Sequence, residues 1–209
     1  MKNWTELENS SFFDANARER ALGMVDKGTF TEFLNPLDRY CSPHLPVLGT
    51  AVEFDDGTVC GVGLLGKHPV FVVSMEGKFI GGAIGEVNGG KMVATIRLAL
   101  KAAADIKAKY PEEYTARRPL VAVSFETGGV RLQEANLGLA AIADIHAAIV
   151  DLRRYTPVVG IIAGTVGCFG GMSIAAALCS YLIVTREARL GLNGPQVIEQ
   201  EAGIEEYDS

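Results

Sequence analysis

Apolar positions along this chain follow two periods, and patterned sequence begins near Gly57. The first 56 residues are polar and irregular. They predict one helix over Asp14–Asp26, closed by Gly28, and a loop through Pro36, Pro43 and Pro46. From Gly57, TVCGVGLLG and PVFVVSM are rich in β-branched residues and meet through Gly66-Lys67-His68, which predicts two adjacent strands. Glycines then crowd the run GKFIGGAIGEVNGG. In KMVATIRLALKAAADIKAKY, Val93, Ile96, Leu100 and Ala103 recur at helical spacing, and Pro111 stops the run. PLVAVSF is apolar throughout, as a strand covered on both faces would be. LQEANLGLAAIADIHAAIVDLRRY predicts a second long helix with Leu132, Leu139, Ile142, Ile145 and Ile149 on one side. VVGIIA reads as a strand, MSIAAALCS as a short helix, and YLIVT and RLGL as strands before GPQVIEQ.

Strands alternating with helices predict an α/β fold with buried strands. The change of texture divides the chain into a helical and irregular extension, residues 1–56, and an α/β domain, residues 57–209. One stretch competes with this reading. No charge interrupts Tyr155–Thr185, which is long enough to cross a bilayer. Pro157 and Gly160, Gly164, Gly167, Gly170 and Gly171 break it, however, and it reads better as strand, turn with helix, and strand.

Composition narrows the function. At 209 residues, 48% hydrophobic and 21% charged, the chain suits one core rather than a disordered tail. The net charge is −6, and its 19 basic residues are scattered, against the basic stripe of a nucleic-acid binder. Cys41, Cys60, Cys168 and Cys179 have neither zinc nor redox-pair spacing. MKNWTELENS has no apolar signal core, so a cytoplasmic protein with reduced thiols is expected.

One pattern occurs twice. VAVSFETGG leads into VRLQEANLG, and VVGIIAGTVGCFGG leads into MSIAAALC. In each, an apolar strand ends in a Gly-Gly pair that is expected to open a helix. Glycine exposes backbone N–H groups with no Cβ in the way, and the first amides of a helix lack internal partners. Two such junctions could stabilise a developing oxyanion. Glycines there serve equally to let strand and helix pack closely, and spacing alone does not separate the two.

Other motifs fit chemistry less well. Gly61-Val62-Gly63-Leu64-Leu65-Gly66 matches a dinucleotide fingerprint, but a strand follows it where a helix is required. Gly171-Met172-Ser173-Ile174-Ala175 resembles a nucleophile elbow, yet His44, His68 and His146 all precede Ser173. Ser173 then reads as a helix-start residue and His146 as a packing histidine.

The runs GGAIGEVNGGK, ETGGVRLQEA, FGGMSIAAAL and NGPQVIEQ resemble, in order and spacing, those of the carboxyltransferase β-type subunits of the crotonase superfamily. The corresponding runs there look like GGSMG, SGGARMQE, TGGVSAS and AGPRVIE. The resemblance covers Gly57 to the C-terminus. SFFDANARERALGMVDKGTF and GIEEYDS are further similar to the malonate decarboxylase β subunits within that family. No Cys₄ zinc ribbon is present. Val130 stands where relatives have Ala, and Gln196 where they have Arg, which puts an anion contact at that position in question. Relatives continue beyond GPQVIEQ, so a shortened C-terminus is expected.

The resemblance implies a crotonase-like ββα spiral acting on an acyl thioester. It implies a β subunit that, with a γ subunit, decarboxylates malonyl-S-acyl-carrier-protein to acetyl-S-acyl-carrier-protein. An α (transferase) subunit and the acyl carrier protein are the other implied partners. The acyl group rides on the carrier's phosphoribosyl-dephospho-CoA arm, and this chain itself is expected to bind no cofactor, metal, nucleic acid or membrane. The Gly129 and Val130 amides would form the acyl oxyanion hole, and those of Gly171 and Met172 the second one. Gly81, Gly82, Gly85, Gly128 and Gly170 would shape the substrate channel. Glu126 and Glu134 read as structural carboxylates. The alternatives are the β half of a biotin-dependent acyl-CoA carboxyltransferase and a non-catalytic assembly subunit.

Overall fold

The computed structural model describes residues 11–203. Six strands form one sheet whose spatial order is the chain order: β1 (Thr31–Phe33), β2 (Thr58–Leu65), β3 (His68–Met75), β4 (Leu120–Phe125), β5 (Val158–Ile162) and β6 (Tyr181–Val184). The first three run antiparallel, with β2 and β3 paired from Thr58↔Met75 to Leu65↔His68. β3 to β6 are parallel, so each connection must cross over, and helices supply the crossovers.

The crossover helices are α2 (Glu86–Lys109), α4 (Asn136–Leu152) and α5 (Gly171–Ala177); α3 (Tyr114–Arg117) is a single turn and α6 (Pro195–Ala202) closes the described chain. α2 packs on α4, and together they cover one face of the sheet. Met92, Ile96 and Ala99 of α2 and Ile142, Ile145 and Ile149 of α4 are buried with Val73, Met75, Val123, Phe125 and Ile162 of the strands. Each of these side chains larger than alanine contributes about 1.5–3 kcal/mol on burial.

Part of the N-terminal segment also packs on this sheet. Helix α1 (Ala17–Gly23) lays Ala17 and Ala21 against Val59, Val70 and Val72, and β1 extends the edge beside β2. α1 is shorter than the expected Asp14–Asp26. Asn16 caps it, accepting from the Glu19 amide while the Glu19 carboxylate accepts from the Asn16 amide. At its other end the Asp26 amide leaves to donate to Leu64 O, 2.6 Å away.

Three further expectations are corrected. α2 starts at Glu86, inside the glycine run, because the Gly85 amide is taken by Asn88 Oδ1 at 2.7 Å and the Glu86 amide by Glu134 Oε2 at 2.7 Å. Gly89 then lets α4 approach: a Cβ there would stand 2.6 Å from Ala141 Cβ. The second long helix starts at Asn136, not Leu132. A 3-10 turn, Leu132–Glu134, and Ala135 at φ 44° intervene, leaving Leu132 and Leu139 exposed. RLGL is no strand; Leu190 makes one isolated bridge to Cys168. The charge-free span folds as β5, α5 and β6, and among the described residues no helix is long and apolar enough to cross a membrane.

Candidate functional site

Beyond the ends of β4 and β5 the chain continues as a ladder of single bridges. Ile84 pairs with Val130, Thr127 with Cys168, and Cys168 with Leu190, all parallel. The Ile84 amide donates to Gly129 O and the Arg131 amide to Ile84 O, each at 2.8 Å. Parallel pairing of this kind turns the Val130 N–H away from Ile84. Among the described residues that amide has no hydrogen-bond partner, and neither do those of Gly171 and Met172.

The two Gly-Gly junctions meet. Gly129 has φ +111° and Gly170 φ +62°, conformations that favour glycine. A Cβ on Gly129 would stand 3.4 Å from Gly170 Cα. Gly170 does open a helix, α5, and Ser173 Oγ donates back to its carbonyl at 2.7 Å. Gly128–Gly129 does not: an extended Val130–Arg131 stretch and the 3-10 turn separate it from α4. The Gly129 amide, expected to point outward, donates to Thr127 Oγ1 at 3.0 Å.

The remaining predicted residues divide by exposure. Gly81 and Gly128 are exposed and joined, the Gly128 amide donating to Gly81 O at 2.8 Å. Gly82 and Gly85 are buried, the first against the Glu126 backbone and the second against the Glu134 carboxylate. Met172 is fully buried, so only its backbone can serve a ligand. The closing residues from Ile204 on and the Gln196 side chain lie outside what is described.

Charged residues hold the ladder from beneath. Arg131, Asp56 and Glu134 form a fully buried cluster, with Arg131 Nη1 2.9 Å from both carboxylates. Burial pushes Asp56 above the ordinary carboxylate range despite Arg131. Burial presses Glu134 the same way, but the Glu86 amide and Arg131 outweigh it and hold that carboxyl low. Glu126 pairs with Arg20 at 2.6 Å, also buried. Both glutamates are thus structural, as expected. Arg131, Asp56, Arg20 and Thr127 escaped sequence reasoning; only the Arg131–Glu134 spacing of three residues signalled a pair.

The discounted motifs stay discounted. Gly61 to Gly66 lie in the β2–β3 hairpin, where Gly63 admits Val25. His146 Nε2 donates to Gly171 O at 2.7 Å. No cluster of metal-ligating side chains occurs among the described residues. Two open grooves of about 360 and 400 Å³ run along the outer faces of α2 and α4, past Arg97, and contain no predicted site residue.

The carboxyl transferase domain family matches residues 14–209. Over its full length the chain is 53% identical to the malonyl-S-ACP:biotin-protein carboxyltransferase MADC of Malonomonas rubra, and spans 66% of that protein. It is 30% identical over 189 residues, 90% of the chain, to the methylmalonyl-CoA carboxyltransferase 12S subunit of Propionibacterium freudenreichii subsp. shermanii, of which it spans 32%. The fold is similar to a Pseudomonas malonate decarboxylase hetero-tetramer solved with malonate, at TM-score 0.85 and 54% identity, covering 99% of this chain and 72% of that one.

Proposed function

The chain belongs to the carboxyl transferase domain family, has its crotonase-like α/β fold, and on that premise we propose that it is the β-type subunit of a malonate decarboxylase. Its reaction is the conversion of malonyl-S-acyl-carrier-protein to acetyl-S-acyl-carrier-protein. The observation that carries the reading is the meeting of Gly129 with Gly170, which gathers the unpartnered Val130, Gly171 and Met172 amides around two exposed glycine turns. Identity to the Malonomonas and Pseudomonas proteins supports malonyl as the acyl group.

The chemistry suits such amides. When the bond between the α-carbon and the carboxylate breaks, CO₂ leaves and its electron pair delocalises onto the thioester oxygen. A proton then completes the acetyl group. Charge on that oxygen is greatest after cleavage, so fixed N–H donors favour the transition state over bound substrate. Val130 supplies the donor at the first junction, and the start of α5 supplies those at the second. Gly81 and Gly128 are the channel glycines that face solvent; Gly82 and Gly85 keep the turn tight. The acyl group arrives on the carrier's phosphoribosyl-dephospho-CoA arm, and a γ subunit completes the site, with the α (transferase) subunit and carrier protein in the same cytoplasmic assembly.

The Malonomonas relative is named for transfer to a biotin protein, which favours a second reading. There the same cleavage delivers the carboxyl group to biotin on another chain. One assay tests both. The assembled complex is given a malonyl thioester and acetyl thioester is measured, with and without avidin. Turnover by the complex and negligible turnover by this chain alone are expected. Inhibition by avidin selects the biotin route, and no turnover by the complete complex overturns the proposal.

A further inference from the structure

The Val130 amide is useful only if its direction is fixed, and the bonds that fix it converge on one side chain. Val130 sits between two backbone hydrogen bonds, Ile84 N–H to Gly129 O and Arg131 N–H to Ile84 O. Both strands of that bridge are tied to the buried charge cluster. On one strand, Arg131 Nη1 reaches Asp56 Oδ2 and Glu134 Oε1 at 2.9 Å, and Nη2 reaches Asp56 O at 3.2 Å. On the other, the Glu86 amide donates to Glu134 Oε2 at 2.7 Å and the Asn88 amide to Asp56 Oδ2 at 3.1 Å. Asn88 in turn accepts from the Gly85 amide and donates to Ala83 O, the two neighbours of Ile84. The loop closes on itself: each carboxylate holds Arg131 and one amide at the start of α2.

We infer that Arg131, clamped by Asp56 and Glu134, is the positioning residue that aims the Val130 amide at the substrate oxygen; the inference rests on the decarboxylase reading above. It touches no substrate. A planar guanidinium can bridge two carboxylates and a carbonyl at once, whereas the Lys ammonium is a point charge on a flexible stem. The Phe79 ring lies over the guanidinium, 5.3 Å from Cζ, and fills the side where a compact ammonium would leave space. The cluster is wholly out of water, so nothing else can replace a lost partner.

The experiment uses the assembled complex. Arg131→Lys and Glu134→Gln are compared with Leu152→Ala, a core truncation remote from the ladder that lowers the melting temperature by packing loss alone. In the Arg131 and Glu134 variants, kcat per folded complex is expected to fall about 10-fold or more while KM moves less than about threefold. Leu152→Ala, assayed well below its melting temperature, keeps the parent kcat. Amide hydrogen exchange is expected to rise together in residues 83–86 and 128–132 of both cluster variants, and in neither segment of Leu152→Ala. If Arg131→Lys does not assemble, Glu134→Gln, which keeps shape and one acceptor, carries the same comparison. Activity that tracks melting temperature alike in all three variants, or unchanged exchange in both segments, overturns the inference. A parent complex with no turnover overturns the decarboxylase reading instead, and the exchange measurement then decides the positioning role alone.

Discussion

Gly129 and Gly170 lie in direct backbone contact: a Cβ built on Gly170 would stand 3.2 Å from Gly129 Cα. Backbone that close cannot step aside without moving one of the two junctions. The contact therefore sets the spacing between the Val130 amide and the start of α5.

Gly170→Ala tests that spacing. The added methyl meets backbone rather than a flexible side chain, and φ +62° strains any L residue. The expected loss in kcat is about 10-fold or more, since shifts of about 1 Å at a reacting centre can cost 10²-fold. Melting temperature should also fall, by roughly 3–10 °C, because φ 62° with ψ −147° is backbone essentially confined to glycine and costs about 1–3 kcal/mol for another residue. Steady-state kinetics and calorimetry on the same preparation check this. Parent kcat would mean that the junctions are not coupled through this contact.

Val130 separates amide donation from side-chain packing. Val130→Pro removes the unpartnered N–H, and Val130→Ala keeps it. Removing one oxyanion donor costs about 10²–10³-fold in kcat, so the Pro variant should fall by that order while the Ala variant stays within a few-fold. The same test at Gly129 is less informative, because that amide is already bonded to Thr127 Oγ1. Equal losses in the two Val130 variants would point to packing against Gly138, whose Cβ position lies 2.8 Å from Val130 Cγ2.

Much of this was legible in the sequence, for reasons tied to particular residues. The β2–β3 hairpin and the α2 face carrying Val93, Ile96 and Ala103 follow from local period alone, and the structure buries those three. The glycine runs marked the junctions because few other residues allow such turns. What stayed hidden was non-local. Nothing near Leu132 announces that Ala135 will take a positive φ, and that kink moved the helix start and exposed Leu132. Asp56 and Arg131 are 75 residues apart, so their pairing has no local pattern to betray it. Nothing local marks Thr127 either, although its hydroxyl occupies the amide that Gly129 was expected to offer.

The buried carboxylates predict opposite acid responses. Glu134 is held below its ordinary 4.5, so it stabilises the fold above that pH and loses this contribution as pH falls through its folded value. Glu134→Gln should therefore flatten the loss of stability below about pH 4.5. Asp56 is raised above 3.8, so the folded state binds its proton more readily than the unfolded chain does. Asp56→Asn should steepen the rise of stability with pH above that value. Urea unfolding across the acid range measures both slopes, and a change of the same sign in the two variants would refute the assignment.

The thiols give a test at the other end of the pH scale. Burial pushes Cys60 to about 11, and Cys168 and Cys179 to about 12, from an ordinary 9.0. Thiolate is the reactive form, so these three should resist iodoacetamide at pH 8 in the folded protein. Cys41, partly exposed, should be the cysteine that labels first. The same shifts act on stability. Between pH 9 and the folded values the unfolded chain gives up thiol protons that the folded chain keeps. Stability is therefore unaffected by these groups below pH 9 and falls as pH rises above it, by about 1.4 kcal/mol per pH unit for each thiol. Cys168→Ala removes one such group and should lessen the alkaline slope by that amount, apart from a constant offset for the lost sulfur packing. Peptide mapping after labelling and denaturant melts from pH 8 to 11 provide the two measurements. Rapid labelling of Cys168 in native protein, or an alkaline slope unchanged in Cys168→Ala, would show that the ladder around Thr127 and Cys168 opens to water more readily than its bridges imply.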